Sequence, residues 1–266
     1  MNHLLRELAP VSELGWQTLD DEARQRLAPA LAARRLVDFS GPKGWQHSAT
    51  NLGRTDELES APVEGVSGLR RRALPLVELR ADFELSRAEL RDIDRGADDS
   101  DLGTLDDAAH RIAAAENTAV FAGWQSAITG VAEATPHEPM TLSGDDAEYP
   151  SAVAGAVGVL LQSGVGGPYG LALAPDEYKL VTETAEHGGY PLAEHLRKIV
   201  EGPIVWTPGV SGAVVLSMRG GDFIFDSGQD VSIGYDSHDG EVVRLYLEES
   251  FSFRVVTPEA AVVLKA

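Results

Sequence analysis

Cysteine is absent from the 266 residues, which excludes disulfide scaffolds, thiolate metal sites and cysteine nucleophiles. No apolar run approaches the about 20 residues that a membrane helix needs. The N-terminal MNHLLRELAP carries Arg6 and Glu7 in place of the apolar core of a signal peptide. The sequence therefore predicts a soluble, cytoplasmic protein.

Basic residues are scarce as well. The chain has 22 Lys plus Arg against 42 Asp plus Glu, a net charge of −20, and such a surface repels nucleic acid and anionic membranes. The acidic excess is spread along the chain, and residues 112–178 contain eight acidic and no basic side chains. Two interpretations stay open: simple solubility through repulsion, or a surface that faces a compartment handling cations.

Catalytic and cofactor motifs are missing too. No Lys precedes Ser or Thr as a Walker A loop requires, the glycines at 164, 166 and 167 complete no dinucleotide fingerprint, and no G-x-S-x-G elbow occurs. The seven histidines never stand four residues apart, the spacing that places two metal ligands on one helix face. We therefore predict no catalytic residue, no metal site, no cofactor and no enzymatic activity.

The apolar pattern of the first half predicts helices and one extended arm. Ser12 is a good N-cap for an amphipathic helix in which Pro29 should cause a kink or a restart. The alternation of apolar and polar residues and the turn residues within 48–85 predict a long β-hairpin or extended arm. Its three arginines at 70–72 either form a solvated face or bind an acidic neighbouring subunit. Further helices are predicted at 86–95, from Thr104 onward as the longest core helix, and from Pro150 to Gly164.

The second half combines a short buried strand at 167–175, two helices and then mostly β-structure from Pro203 onward. The glycine-rich loop AEHGGY at 185–190 connects the two helices. It is either a plain connection or the lining of an opening in an assembly, where small residues leave a passage and an acid favours cations.

Taken together, the segments of this chain resemble the encapsulin (linocin-like) shell proteins, whose subunits adopt the HK97 bacteriophage capsid fold. The resemblance covers essentially the whole chain. Its motifs are LAPV at 8–11, ARRLVDFSGPKGW at 33–45, PLVELR at 75–80, ELRDIDRG at 89–96, FAGW at 121–124, GPYGLAL at 167–173, GYPLAEHL at 189–196, RGGDF at 219–223, GQDVSIGYDSHD at 228–239 and VRLYLEESFSFRVV at 243–256.

The resemblance implies an α+β, HK97 phage-capsid-like fold with an N-terminal amphipathic helix, an extended arm, a peripheral domain with a long helix, and an axial domain. It divides the chain into an N-terminal helix and the start of the peripheral domain (1–47), the arm (48–85), the peripheral domain (86–134), the axial domain (135–222) and C-terminal strands that return to the peripheral domain and arm (223–266). Closed symmetric assembly suits an interwoven arm and a polar surface.

The implied function is that of a self-assembling icosahedral shell, without catalysis of its own. The shell encloses a dye-decolourising peroxidase or a ferritin-like ferroxidase. Subunits of this length resemble those of the smallest, sixty-subunit shell. Two alternatives are a phage major capsid protein, which would share the fold, and a secreted bacteriocin or protease-like protein. Some relatives bind flavin, but no residue set here supports a flavin site.

The resemblance also implies two sites. Shell proteins of this family bind a peptide at the C-terminus of the cargo in an apolar groove on the inner wall, which maps onto Leu27, Leu31, Arg34, Asp38 and Ile233. Leucine or isoleucine anchors would enter the groove, with Arg34 and Asp38 as polar guides at its edge. The loop that lines the five-fold pore maps onto Glu186, His187, Gly188, Gly189 and Tyr190.

Overall fold

Two five-stranded sheets and a separate two-stranded hairpin organise the chain, which a computed structural model describes over residues 3–142, 148–186 and 189–265. The helices are α1 (Glu13–Ala30), α2 (Arg87–Asp94), α3 (Gly103–Phe121), α4 (Val131–Ala134), α5 (Tyr149–Gln162), α6 (Pro175–Glu183) and α7 (Leu192–Val200). The strands are β1 (Asp38–Ser40), β2 (Ala49–Glu57), β3 (Leu69–Pro75), β4 (Val77–Ser86), β5 (Met140–Thr141), β6 (Tyr169–Leu173), β7 (Ile204–Trp206), β8 (Ala213–Ser217), β9 (Phe223–Ser227), β10 (Ser232–His238), β11 (Val242–Val255) and β12 (Ala261–Lys265).

The first sheet is built around β11, the longest of the described strands. Its order is β1-β9-β11-β10, and β4 pairs with β11 as well. Antiparallel pairing joins β11 to β4, β10 and β9, and β1 runs parallel to β9. Because successive side chains of a strand point to opposite faces, one face of this sheet is buried under α1, α2 and α3, which form the first core with it.

The second sheet has the order β5-β12-β8-β6-β7 and supports a second core with α5 and α7. All five residues of β6 are buried, as are all five of β8, which confirms the buried strand predicted from GPYGLALAP and the β-rich C-terminal third. The longest of the described helices, α3, joins the two cores: Leu105 and Ile112 pack in the first, and Val120 and Phe121 in the second.

The helix α1 begins and ends close to where its sequence predicts. The Ser12 side chain accepts a 2.9 Å hydrogen bond from the Gly15 amide and caps the helix. The predicted restart at Pro29 is wrong, because α1 continues through Pro29 and ends at Ala30. A proline in the last turn removes only one hydrogen bond before the helix stops anyway.

The hairpin of β2 and β3 is almost entirely exposed to solvent. Its strands pair from Ala49–Pro75 to Glu57–Leu69, and the chain then enters the first sheet as β4. Apolar side chains near its tip are 41% to 65% exposed, namely Leu58, Val63, Val66 and Leu69. A two-stranded hairpin without a core is marginal alone, so this arm needs a neighbouring surface. The division of the whole chain into domains stays a prediction.

Within the described ranges, no helix combines the length and the apolar character that crossing a bilayer requires.

Candidate peptide groove and connecting loop

A groove of about 410 Å³ lies between α1 and the start of β10. This volume falls within the range of small-ligand sites, roughly 300–1,000 Å³. Four of the five residues predicted for the peptide site meet here: Leu27, Leu31, Arg34 and Ile233. The other lining residues are Leu4, Arg6, Asp20, Ala23, Arg24, Ala28, Asp230, Val231, Ser232 and Leu247.

The floor of the groove is apolar because two elements turn their apolar faces towards it. Ala23, Leu27 and Leu31 are four residues apart along the chain, so they share one face of α1 and its C-terminal cap. Ile233 pairs with Leu247 on the neighbouring strand. Leu27 and Ile233 are buried, whereas Leu31 is only partly buried, so Leu31 offers the floor's accessible apolar surface.

The N-terminal segment lies along the groove beside β10. The Leu4 carbonyl accepts a 2.8 Å hydrogen bond from the Tyr235 amide. Next to it, Arg6 forms a 2.8 Å ion pair with Asp20 on α1, and its guanidinium lies 4.1 Å from the centroid of the Trp16 ring. These contacts hold Arg6 and Asp20 at the rim, where the pair is half-buried.

Arg34 lies at the end of the groove inside a cluster of three carboxyl groups. Its guanidinium donates hydrogen bonds of 2.6–2.7 Å to Glu116 on α3, Asp230 before β10 and Glu249 on β11. Burial alone would lower the pKa of Arg34, but Glu116 and Glu249 outweigh it and the pKa is raised. Arg34 is thus a permanent cation that ties three elements together beside the groove.

A buried amide holds the end of α1 against α3. The Asn117 side chain accepts a 2.9 Å hydrogen bond from the Ala33 amide and donates 2.9 Å bonds to the carbonyls of Ala30 and Pro208. These bonds satisfy backbone groups that the end of a helix leaves without partners. They also set the position of the turn Ala33–Arg35, which carries Arg34.

The fifth predicted residue, Asp38, is not part of this groove. It lies exposed on β1, and its Oδ2 accepts a 2.6 Å hydrogen bond from the Gly221 amide. It lines a separate small cavity of about 50 Å³. Arg34 does not pair with Asp38 and is bonded to the three carboxyl groups instead. Asp38 follows the turn Ala33–Arg35 by three residues and lies on β1, which places it away from Arg34's end of the groove.

The loop predicted to line a pore connects α6 and α7, as expected. Its described residues are Glu186, Gly189 and Tyr190, while His187 and Gly188 lie outside the described residues. The Glu186 amide donates to the Tyr190 carbonyl at 2.8 Å, and the Glu186 carboxylate lies 3.0 Å from Nδ1 of His195 on α7. Gly189 has a φ of +79°, which glycine adopts without strain.

Several groove residues were not predicted from the sequence. Arg6, Asp20, Asp230 and Leu247 come from four separate segments of the chain, so no local sequence pattern marked them as one site. Across the described part of the chain, the groove included, His, Asp and Glu side chains form no group of three or more that could hold a metal ion.

Comparisons with known proteins identify the family. Residues 1–252 match the model of the family described as "Encapsulating protein for peroxidase". The type 1 encapsulin shell protein of Rhodospirillum rubrum is 47% identical over 271 residues, which cover 100% of this chain and 97% of that protein.

Solved structures agree in fold. A virus-like particle from Pyrococcus furiosus is similar with a TM-score of 0.61 at 20% identity, covering 92% of this chain and 98% of that one. The capsid of an empty GTA particle gives a TM-score of 0.52 at 16% identity, covering 89% of each chain. The predicted α+β, HK97-type capsid fold and the shell function are confirmed. The chain belongs to the encapsulin shell-protein family, and its role is that of a structural subunit of a closed shell.

Proposed function

We propose that the groove between α1 and β10 captures a short peptide at the C-terminus of a cargo enzyme and so loads that enzyme into the shell. The observation that carries this proposal is the groove itself, with an apolar floor and a charged rim on a subunit whose family forms shells. The captured cargo enzyme performs the catalysis, so the shell subunit itself needs no catalytic residue.

The groove favours a peptide with aliphatic anchors. Leu31 and the side chains around it accept a leucine or isoleucine, while the Arg6–Asp20 pair and Arg34–Asp230 at the rim can bond polar groups of the peptide backbone. Burying one such anchor contributes about 1.5–3 kcal/mol. Many subunits face the same interior, so even modest affinity per groove is multiplied when the cargo is itself oligomeric.

The cargo class that we propose is a peroxidase, because the description of the matching family names it. A ferritin-like ferroxidase is the other outcome that the experiment below would reveal. We further propose that the loop at 186–190 lines the pore, that sixty subunits close the shell, and that the compartment lies in the cytoplasm. The acidic net charge of −20 supports a passage for small cations.

The test begins with the protein expressed alone and examined by negative-stain electron microscopy, and continues with mass spectrometry of particles isolated from native cells. C-terminal tails of the peroxidases and ferritin-like proteins encoded in the source genome are then fused to a fluorescent protein and co-expressed with the shell. We expect closed uniform particles that enclose a peroxidase and retain the fluorescent protein that bears its tail.

The outcomes separate the parts of the proposal. Particles that enclose a ferritin-like protein would correct the cargo class and leave the groove proposal standing. Particles that retain the fluorescent protein without any tail, or that retain no tailed protein, would overturn capture by the groove. A particle containing DNA after nuclease treatment would instead favour a phage-type capsid.

A further inference from the structure

Beside the groove, Arg34 forms ion pairs with two glutamates that are buried from solvent. Glu116 is fully buried and Glu249 is 1% exposed, and each accepts a 2.7 Å hydrogen bond from the guanidinium through Oε2. The Oε1 atoms of both are buried and receive no hydrogen bond from the described residues. One cation thus contacts two buried carboxyl groups. Each carboxyl group keeps one oxygen, Oε1, that accepts no hydrogen bond from the described residues.

A single proton between the two carboxyl groups would satisfy both remaining oxygens. Burial raises the pKa of Glu249 well above its ordinary value, and the negative charge of the adjacent Glu116 raises it further, against the opposing effect of Arg34. Burial raises the pKa of Glu116 too. Two ionised carboxylates cannot hydrogen bond to each other, so a hydrogen bond between these two requires one proton on the pair.

Asp230 is the third acid of the cluster and the one that reaches water. Its side chain is 48% exposed, and its Oδ1 accepts both a 2.6 Å bond from Arg34 and a 2.8 Å bond from the Val231 amide. Asp230 thereby holds residues 231–233, which form one wall of the groove. The other neighbouring acid, Glu248, points to the opposite face of β11, where its Oε1 lies 2.8 Å from Nε2 of His3.

Ionisation of the second glutamate would add a negative charge to this buried site. The glutamates cannot move away, because α3 and β11 hold them in the core, whereas Asp230 can turn into solvent at small cost. Arg34 would remain bonded to the glutamates, since burial strengthens their attraction. The group most easily expelled is therefore the one that fixes the groove wall.

We propose that Glu116 and Glu249 share one proton and that its loss at alkaline pH releases Asp230 from Arg34, loosens the wall at residues 231–233 and weakens capture of the cargo tail. The last step rests on the function proposed above for the groove, and the shared proton does not. Because the tail then binds the protonated form, capture weakens by up to about tenfold per pH unit above the apparent pKa of the pair.

The linked effect on stability has a definite sign. A glutamate with a raised pKa binds its proton more tightly in the folded than in the unfolded chain. The stabilising effect is therefore greatest in acid and is lost as the pH rises from the ordinary glutamate pKa to the raised one. As the pH rises into the alkaline range, we expect both the order of residues 231–233 and the stability of the fold to decrease.

The test compares assembled shells of the wild type, Glu249→Gln and the control Glu248→Gln. Glutamine imitates a protonated glutamate, since its amide can donate to Glu116 while its carbonyl accepts from Arg34. Three measurements are made between about pH 6 and about pH 9: the infrared carbonyl band of a protonated carboxylic acid, hydrogen–deuterium exchange of residues 231–233, and retention of the fluorescent protein bearing a cargo tail.

We expect the wild type and Glu248→Gln to show the acid band at neutral pH and to lose band, wall protection and tail retention together as the pH rises. In Glu249→Gln the band is absent, and wall protection and retention no longer fall. A wild type without the band, or a Glu249→Gln shell with the wild-type pH profile of wall protection, would overturn the proposal.

The infrared titration of the wild type alone decides the shared proton if Glu249→Gln fails to assemble. The two proposals also fail differently. If Leu31→Asp shells retain the tail at every pH while the band and wall protection still titrate together, capture by the groove is wrong and the shared proton and its control of the wall remain.

Discussion

Replacing Leu31 by aspartate should empty the shell without breaking it. Leu31 is the C-cap of α1 and only partly buried, so a carboxylate at this position keeps contact with water and the fold tolerates it. The adjacent Ile233 would be a poor choice for the same change, because its side chain is 2% exposed and a buried charge would destabilise the subunit.

The size of the effect follows from the anchor that Leu31 contacts. Burying a leucine or isoleucine side chain is worth about 1.5–3 kcal/mol, and most of that gain is lost when the anchor meets a hydrated carboxylate. Capture per groove should weaken roughly 10- to 150-fold. Cargo that binds several grooves at once would lose more, because the losses multiply.

The assay is retention of the tailed fluorescent protein in purified shells, with the particle size checked by electron microscopy. The matched control is Leu14→Asp, which makes the same change at a 48% exposed position of the same helix outside the groove. Leu31→Asp shells that retain a full load would refute the assignment of the groove. An equal loss of load in the control shells would do so too, because it would trace the effect to charge on α1.

Three further outcomes follow from the same contacts. Arg34→Met leaves two buried carboxyl groups without their cation, so we expect a loss of about 3–5 kcal/mol in subunit stability, measured by urea unfolding. Asn117→Ala removes three hydrogen bonds, and at about 1 kcal/mol each the Tm of the shell should fall by roughly 6–12 °C in calorimetry; an unchanged Tm would mean that the amide does not hold the end of α1. Asp38→Asn should leave tail retention at the wild-type level, because its partner is the Gly221 amide and it lies outside the groove; a drop in retention would place it back among the peptide contacts.

Local signals predicted many of the elements well. The cap at Ser12, the capping residue Ser86 and the continuous apolar run of β6 each report on interactions within a few residues, and the structure bears them out. The effect of Pro29 was harder to predict, because it depends on how many turns follow the proline, and α1 stops one residue later.

The sequence by itself determined that the chain is acidic and free of cysteine, and that its first helix carries an apolar stripe that includes Leu27 and Leu31. Spacing along one helix is a local property, so these two residues could be paired before any fold was known. The tertiary structure alone decided which distant side chains lie beside them at the groove. Glu116, Asp230 and Glu249 are separated along the chain by 114 and 19 residues yet surround one arginine. Such a cluster exists only after α3, β10 and β11 have packed, because burial and the approach of like charges, which set its protonation, have no counterpart in the unfolded chain.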